Sequence, residues 1–253
     1  MQKKNTNSLF KKIEYFYVTI LLLVSWWGLS LIINNPAFPP PHRAIISLVD
    51  SLQNDLMYHL GVSLYRVLVS LVIATLLGVP LGLILGKNKS LDRFIAPMIY
   101  LTYPIPKVVF MPILFILLGI GDLSKVVLIT LIVFYQILVT TRDAARNLEE
   151  EYLLSVRSLG AKSWELYWHV YLPGTLPSIL TSLRLGLGTA MAVLFLVETY
   201  ATQVGIGYFI MDSLSRMAYD KMFAGIIAMG TLGFLLYLIL DLAEKKLCNW
   251  VKL

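Results

Sequence analysis

Long apolar runs, separated by short polar segments, make up most of this chain. A helix needs about 20 predominantly apolar residues to cross the hydrocarbon core of a bilayer. Six runs approach or exceed that length, at about 13–33, 60–86, 94–118, 125–141, 175–201 and 222–243. The pattern predicts an all-α integral membrane protein with about six transmembrane helices, organised as a single transmembrane domain over residues 1–253.

The composition agrees with a membrane protein and argues against an enzyme. Charged residues make up 14% of the chain, whereas a soluble domain carries about 25%. Three dispersed histidines and the single cysteine, Cys248, provide neither metal-ligand spacing nor an intrachain disulfide. The sequence contains no HExxH, no Ser/His/Asp arrangement and no paired intramembrane carboxylates. We therefore expect no metal site, no catalytic residues and no enzymatic activity in this chain.

Lysine and arginine fall mainly on one side of the predicted spans. With residues 1–12 placed in the cytoplasm, the inside group contains Lys3, Lys4, Lys11, Lys12, Lys87, Lys89, Arg93, Arg142, Arg146, Arg157, Lys162, Lys245, Lys246 and Lys252. The outside group contains only Arg43, Lys125, Arg216 and Lys221. Cytoplasmic loops are enriched in these cations, so the net charge of +6 requires no nucleic-acid partner. Both termini are predicted to be cytoplasmic, and the first run, longer than a signal h-region, to be a retained spanning helix.

The predicted cytoplasmic connection between the fourth and fifth spans is polar and aromatic. Helical spacing from Leu148 to Leu159 predicts a short helix, and Gly160 suits the position after its C-cap, where φ is positive. Ser163 is a suitable N-cap for a second short helix beginning at Trp164, before Pro173 opens the fifth span. We call residues 148–173 the elbow. From the physics alone, the elbow either contacts a partner or is an interfacial segment that only anchors the fold.

The end of the elbow resembles the cytoplasmic loop signature of ABC importer permeases. That signature is a glycine, nine residues, an isoleucine, any residue and Leu-Pro, matched here by Gly160, Val170, Leu172 and Pro173. The Glu-Ala-Ala at the start of the signature is not matched, because 154–156 is Leu-Ser-Val. The resemblance implies that the elbow contacts an ATPase subunit through Arg157, Gly160, Ala161, Lys162, Trp164, Leu172 and Pro173.

Further blocks extend this resemblance over roughly residues 60–245. They include "YPIPKVVFMPILFILLGIGDLSKV" and "VETYATQVGIGYFI" and are similar to permeases that serve nitrate, aliphatic sulfonates and taurine. The resemblance implies a multi-pass protein of a prokaryotic cell membrane that pairs with a second copy of itself. It also implies two ATPase subunits, an extracytoplasmic binding protein and a small, typically anionic solute. The chain itself has no P-loop, so we expect ATP and Mg to be bound by the partner ATPase.

Ionisable residues inside the spans are candidates for the translocation path, because a charge in lipid is costly. The candidates are Lys107, Arg184 and Glu198, together with the bulky Met191 and Phe195 of the fifth span. Structural alternatives stay open: Arg66 can extend to the outer face, Glu198 can be a structural partner, and Arg184 can hold a cytoplasmic gate through a salt bridge. Small residues at Ser182, Gly186, Gly188 and Ala192 would let a second copy approach the fifth span.

Two other function classes compete with a partnered permease. A stand-alone secondary transporter or channel would use this chain alone, but such folds usually contain more helices or an internal repeat. A membrane-embedded enzyme would need the catalytic cluster that the sequence lacks. Co-purification with an ATPase distinguishes the partnered permease from both.

The orientation can be tested by cysteine labelling in intact cells. In a Cys248→Ser background, Lys87→Cys and Lys162→Cys should resist an impermeant thiol reagent, whereas Asp212→Cys should react, because only Asp212 is predicted to lie outside. Labelling of Lys162→Cys from outside would reverse the orientation and remove the elbow from the cytoplasm.

Overall fold

All the structural elements of the chain are helical in the part that the computed structural model describes. It describes residues 3–200 and 202–250, with side chains from residue 17 onward, so Lys252 and the side chains of the predicted tail 1–12 lie outside it. The α-helices are α1 Lys3–Ile33, α2 Pro41–Leu52, α3 Leu56–Lys87, α4 Lys89–Thr102, α5 Met111–Leu118, α6 Asp122–Arg146, α7 Glu150–Ser158, α8 Ser163–Leu166, α9 Leu172–Thr199, α10 Ile206–Ser215 and α11 Tyr219–Leu247. A 3₁₀ turn, Lys107–Phe110, precedes α5, and a π-helical turn, Tyr167–Tyr171, joins α8 to α9.

Four helices in the described residues are long and apolar enough to cross a membrane. They are Leu56–Lys87, Asp122–Arg146, Ser163–Thr199 and Tyr219–Leu247, and they correspond to the second, fourth, fifth and sixth predicted spans. The apolar part of α1, Tyr17–Ile33, is shorter. α1 itself begins at Lys3 rather than near residue 13. The all-helical membrane fold is confirmed, and the number of six crossings stays a prediction.

The third predicted span is broken at its prolines. α4 and the segment Lys107–Leu118 are bent by 78° relative to each other, and together they pass as one broken span or a re-entrant loop. Pro104 and Pro106 lie in the break and cannot donate backbone hydrogen bonds. Irregular backbone at membrane depth is tolerated where protein or a cavity surrounds it. Pro104, Pro106 and Pro112 interrupt an apolar run, a pattern that by itself predicts a kinked span.

Two compact units can be distinguished along the chain, and the predicted single domain stays a prediction. The first comprises Met1–Tyr58 and Phe209–Ala228. In it, the Trp26 indole N–H donates to Pro39 O at 3.1 Å, and Arg43 forms a 2.7 Å ion pair with Asp220. The second unit comprises His59–Tyr208 and Met229–Leu253 and contains the elbow.

The core of the second unit lies between α3, α6 and α9. Its buried side chains are Val67, Leu71 and Ala74 of α3, Leu128, Ile129, Val133 and Ile137 of α6, Leu187, Ala190, Val193, Leu194 and Val197 of α9, and Leu236 of α11. Glycines bring α3 and α6 close together: a β-carbon at Gly82 would lie 2.7 Å from Thr141 Cβ, and one at Gly86 would lie 2.5 Å from Ala145 Cβ. The glycine face of the second span therefore packs within the chain.

Candidate coupling elbow and translocation path

The first arm of the elbow is a helix that ends where the sequence predicted. α7 carries Glu150 and Glu151 in its first turn, where acidic side chains stabilise the positive end of the helix dipole. Gly160 follows its C-cap with φ of +85°, and its N–H donates to Arg157 O at 2.9 Å. A β-carbon at Gly160 would meet no atom within 4 Å. Glycine is thus required because of the backbone conformation, and not because space is lacking. The predicted positive φ is confirmed.

The second arm differs from the prediction at its start. The N-cap is Lys162 instead of Ser163, and α8 begins at Ser163 instead of Trp164. The reason is Glu165, whose carboxylate accepts a hydrogen bond from the Lys162 N–H at 2.5 Å and so satisfies a donor at the helix start.

The second arm is also not a separate helix. α8, the π turn and α9 form one 37-residue helix, Ser163–Thr199. Within the π turn, the Leu172 N–H donates to Tyr167 O, five residues earlier. This wider turn leads directly into Pro173, which has no backbone N–H to contribute to the continuous helix. The elbow and the fifth span therefore share one continuous helix.

One face of the elbow is held against the ends of the neighbouring spans. Leu166, Val170 and Tyr171 form a buried cluster with Leu83 and Ala145 of the core helices. Lys87, the last residue of α3, donates from Nζ to Ser163 O at 3.2 Å and lies 4.0 Å above the Tyr167 ring. The sequence did not identify Lys87 as a contact of the elbow.

The other face of the elbow is exposed. Among the seven predicted coupling residues, Arg157, Gly160, Lys162 and Trp164 are exposed, whereas Ala161, Leu172 and Pro173 are half-buried. Two apolar residues that were not predicted also lie on the surface: Leu159 is 86% exposed and Trp168 is 62% exposed. The elbow therefore presents an apolar and cationic surface at the end of the bundle.

Glu198 lies at the other end of α9 in a buried polar network. Arg66 donates to Glu198 Oε1 at 2.6 Å and to Asp122 Oδ1 at 2.6 Å, and Ser63 Oγ donates to the same Glu198 carboxylate at 2.8 Å. Arg66 is 3% exposed, so it does not extend to the outer surface. Glu198 is fully buried, as in the structural alternative that was left open for it.

The loop after α9 closes this network through its backbone. The N–H groups of Gly205, Ile206 and Gly207 donate to His59 Nδ1, Ser63 Oγ and Glu198 Oε2 at 3.1, 2.8 and 2.9 Å. Gly205 has φ of +124°, and a β-carbon there would overlap the Glu198 carboxylate. Sequence reasoning missed Ser63, His59 and the glycines. The available signal was the Ser63–Arg66 spacing, which places both residues on one helical face.

The remaining path candidates are distributed over several sites. Arg184 forms an ion pair with Glu244 and lies 3.9 Å from Asp241, both on α11. Met191 lies against Gly233 of the same helix, and Phe195 contributes backbone beside Gly207. Arg184 therefore connects the half of α9 nearer the elbow to the last span through a salt bridge, and its role in a cytoplasmic gate stays a prediction.

Lys107 lies at the break of the third span, beside a cavity of about 320 Å³. Its Nζ donates to Thr102 O at 2.8 Å and to Tyr103 O at 2.6 Å, and it lies 4.4 Å from the centre of the Tyr135 ring. The cavity is lined on the α6 and α9 sides by Gln136 and Thr189. The Gln136 amide donates to Thr189 Oγ1 at 3.1 Å. Gln136, a lone polar residue in an apolar run, is a residue that sequence reasoning passed over.

Sequence relatives assign this all-helical multi-pass bundle, with an elbow at one end and a cavity at a broken span, to the membrane-spanning permease components of transport systems. The chain belongs to the family of binding-protein-dependent transport system inner membrane components, whose profile matches residues 78–248. It is 32% identical over 240 residues, 92% of this chain and 87% of the relative, to the taurine transport system permease protein TauC of Escherichia coli (strain K12).

Another relative gives the same class, and a solved structure has a similar fold. A Bacillus subtilis (strain 168) permease named for aliphatic sulfonates transport is 28% identical over 87% of this chain and 80% of its own length. The fold is similar, with a TM-score of 0.67 and 17% identity, to a crystal structure of a bacterial ABC transporter involved in the import of the acidic polysaccharide alginate. That match covers 96% of this chain and 99% of the other.

The Glu198 network should be the main electrostatic support of the end of α9 that lies away from the elbow. Glu198→Ala leaves Arg66 buried and short of one partner, which should cost about 3–5 kcal/mol of unfolding free energy. The matched control is Asp212→Ala, which removes an exposed pair with Arg216 and should cost less than about 1 kcal/mol. The measurement is the thermal unfolding midpoint of each variant in lipid nanodiscs. Equal midpoints for the two variants would contradict a structural role for Glu198.

Proposed function

We propose that two copies of this chain form the translocation path of an ATP-driven importer for a small sulfonate. Two ATPase subunits contact the two elbows from the cytoplasm, and an extracytoplasmic binding protein delivers the solute. The observation that carries this proposal is the elbow itself: an exposed surface around Gly160 that continues, without a break, into a membrane-spanning helix.

The exposed face of the elbow suits a protein partner better than a purely anchoring role. Leu159 and Trp164, 86% and 59% exposed, flank Gly160 together with the cations Arg157 and Lys162. Exposed apolar residues surrounded by polar ones are typical of interaction surfaces. The positive φ at Gly160 fixes the angle between the two arms, so the partner meets a defined shape.

Movement of the elbow has a defined route into the membrane. The Ser163–Thr199 helix begins in the elbow and ends beside Glu198. Along it, Arg184 is paired with Glu244 of α11, so the last span should follow a displacement of α9. The buried network at Glu198 holds the far end. We infer that α9 pivots near its outer end when the ATPase moves the elbow.

The chemical energy comes from the partner. ATP and Mg are assigned to the ATPase subunits, and this chain contributes only the contact surface. Membership of a binding-protein-dependent transport family favours such a partnered importer over a stand-alone secondary transporter or channel.

A second copy is proposed to face α9. Thr181, Leu185, Gly188 and Ala192 form an exposed stripe at helical spacing along this helix. The small residues of the fifth span divide between two faces: Gly188 and Ala192 lie on the stripe, whereas Ser182 and Gly186 are buried within the chain. On α9, therefore, the stripe is the face along which two copies can approach each other closely.

The substrate class follows from the relatives and the cavity at the broken span. Two relatives are named for taurine and for aliphatic sulfonates. Lys107 places a cation beside the cavity, with the Gln136 amide and the Thr189 hydroxyl opposite. These groups can interact with a small anion during its passage. Selectivity resides mainly in the binding protein.

The coupling role of the elbow can be tested at Gly160. Gly160→Val forces a β-branched residue to a φ of +85°, which costs about 1–2 kcal/mol. This should weaken association with the ATPase about 5- to 30-fold and reduce ATP-driven taurine uptake in proteoliposomes that contain the complete transporter. Gly160→Asn should be milder, because asparagine tolerates positive φ.

The control for this test is Gly230→Ala in α11, where a β-carbon has open space. It should insert, associate and transport as wild type does. Normal association and uptake by Gly160→Val would refute the coupling role. Normal association without uptake of taurine or methanesulfonate by the wild type would refute only the substrate class.

The stripe can be tested by cross-linking in a Cys248→Ser background. Leu185→Cys, Gly188→Cys and Ala192→Cys should cross-link between copies, with yields that change on ATP addition, because the stripe faces the symmetry mate. Leu76→Cys on α3, where the native side chain is 67% exposed, is the control and should not cross-link. Cross-linking at Leu76 but not on the stripe would move the path to another helix. Burial raises the pKa of the Cys248 thiol, which makes it a weak nucleophile, and its removal leaves the introduced cysteines as the only thiols of the chain.

A further inference from the structure

A cationic pocket lies at the end of the bundle that carries the elbow. Its volume is about 360 Å³, and it is formed where α3 ends, α4 begins and α6 ends. Four cations, Lys89, Arg93, Arg142 and Arg146, and one carboxylate, Asp92, line it. The residues that line the pocket carry three net positive charges, and Asp143, which pairs with Arg142 beside the pocket, reduces the local excess to two. Neither the coupling role nor the translocation path uses the pocket.

The floor of the pocket is a satisfied buried ion pair. Arg142 donates from Nε and Nη2 to the two oxygens of Asp92, the second at 2.8 Å, and from Nη1 to Asp143 at 3.0 Å. Arg142 is 1% exposed. Since Arg142 occupies Asp92 with two hydrogen bonds, the carboxylate has little capacity left to neutralise the remaining cations.

The rim of the pocket carries cations that are available for an external anion. Arg146 is exposed and reaches Asp92 only at 3.3 Å. Lys89 and Arg93 are exposed and form no ion pair with any residue in the described part of the chain. Tyr100, also on the rim, adds a hydroxyl that can donate a hydrogen bond. The rim thus provides several donors and uncompensated positive charge around one concave site.

An apolar stripe on α4 adjoins this pocket. Phe94, Met98 and Leu101 are 76%, 61% and 76% exposed. Each follows directly after a pocket residue, Arg93, Pro97 or Tyr100, so the stripe and the pocket occupy neighbouring faces of the same helix. A ligand that fills both must have an anionic head and an apolar tail.

We propose that this pocket binds the headgroup of an anionic phospholipid, with its acyl chains along the Phe94–Leu101 stripe. Basic pockets between spanning helices at the membrane face are suited to acidic lipid headgroups. An acidic segment of a partner protein would match the cations but not the exposed apolar stripe beside them. The pocket also lies next to the elbow, because Lys87 at the end of α3 contacts Ser163 O. A bound lipid would therefore stabilise the helix ends against which the elbow packs.

The test is lipid binding to the purified full chain in detergent, measured by native mass spectrometry. The probes are palmitoyl-oleoyl phosphatidylglycerol and the zwitterionic phosphatidylcholine with the same chains. Wild type should retain phosphatidylglycerol preferentially. Lys89→Gln with Arg93→Gln should weaken its binding about 30-fold, because two cations near the headgroup are removed. Met98→Gln should weaken it through the loss of apolar contact. Lys246→Gln, an exposed cation at the end of α11, is the matched control and should bind as wild type does.

Four results would overturn the proposal. Wild-type binding by the double variant, with an unchanged unfolding midpoint, would show that the pocket holds no lipid. Competition by inorganic phosphate, together with no effect of Met98→Gln, would show a free-anion site. If the double variant lost association with the ATPase but still bound lipid, the pocket would be a docking surface for a protein. Disulfide formation between two Met98→Cys copies would show that a second chain covers the stripe.

Discussion

The bilayer provides no partner for a charge or a backbone hydrogen-bonding group, and most of this structure follows from that constraint. Three cations within the spans of the second unit, Arg66, Arg184 and Lys107, have their partners inside the protein. Arg66 is paired with Glu198 and Asp122, Arg184 with Glu244, and Lys107 donates to two carbonyls at the broken span. These contacts join α3 to α6 and α9, join α9 to α11, and leave Lys107 beside the cavity at the broken span.

The two ends of α9 are consequently different. The end at Glu198 is held by Arg66, Ser63 and the backbone of the following loop, all of which meet the Glu198 carboxylate. The opposite end continues into the elbow, where an apolar cluster and Lys87 hold one face and leave the other exposed. A helix that is fixed at one end and accessible at the other is suited to convert movement of a partner protein into a change in the shape of the proposed translocation path. In the proposed mechanism, the closely packed pair of α3 and α6 would supply the surface against which α9 moves.

The cationic pocket adds a second consequence of the same constraint. Arg142 is buried where three helix ends meet and requires Asp92 to neutralise it. With this pair formed, the remaining cations at the end of the bundle outnumber the carboxylates that could neutralise them. A membrane protein with such an excess beside an apolar helix face has the features that an acidic lipid recognises. In this view lipid composition affects the stability of the helix ends that support the elbow.

Local patterns in the sequence determined the class of fold and the main parts of the coupling site. Apolar runs predicted the spans, the prolines of the third run predicted its break, and the spacing around Gly160 predicted the arms and the positive φ. Each of these features depends on residues close together in the chain, so a periodic pattern or a single backbone requirement reveals it. The one-residue shift of the α8 N-cap arose from Glu165, whose hydrogen bond to Lys162 competes with capping by Ser163.

Only the tertiary structure decided which distant groups meet. Arg66 and Glu198 are 132 residues apart, and no pattern in the sequence distinguishes a paired buried arginine from one that extends to the membrane surface. The small residues of the fifth span likewise look equivalent along the chain, yet packing buries Ser182 and Gly186 and leaves Gly188 and Ala192 exposed. The cationic pocket combines the ends of three helices and has no local signature. Periodicity identifies the apolar face of a helix, but the partner of each charge depends on where helices cross, and that is settled by packing of the whole chain.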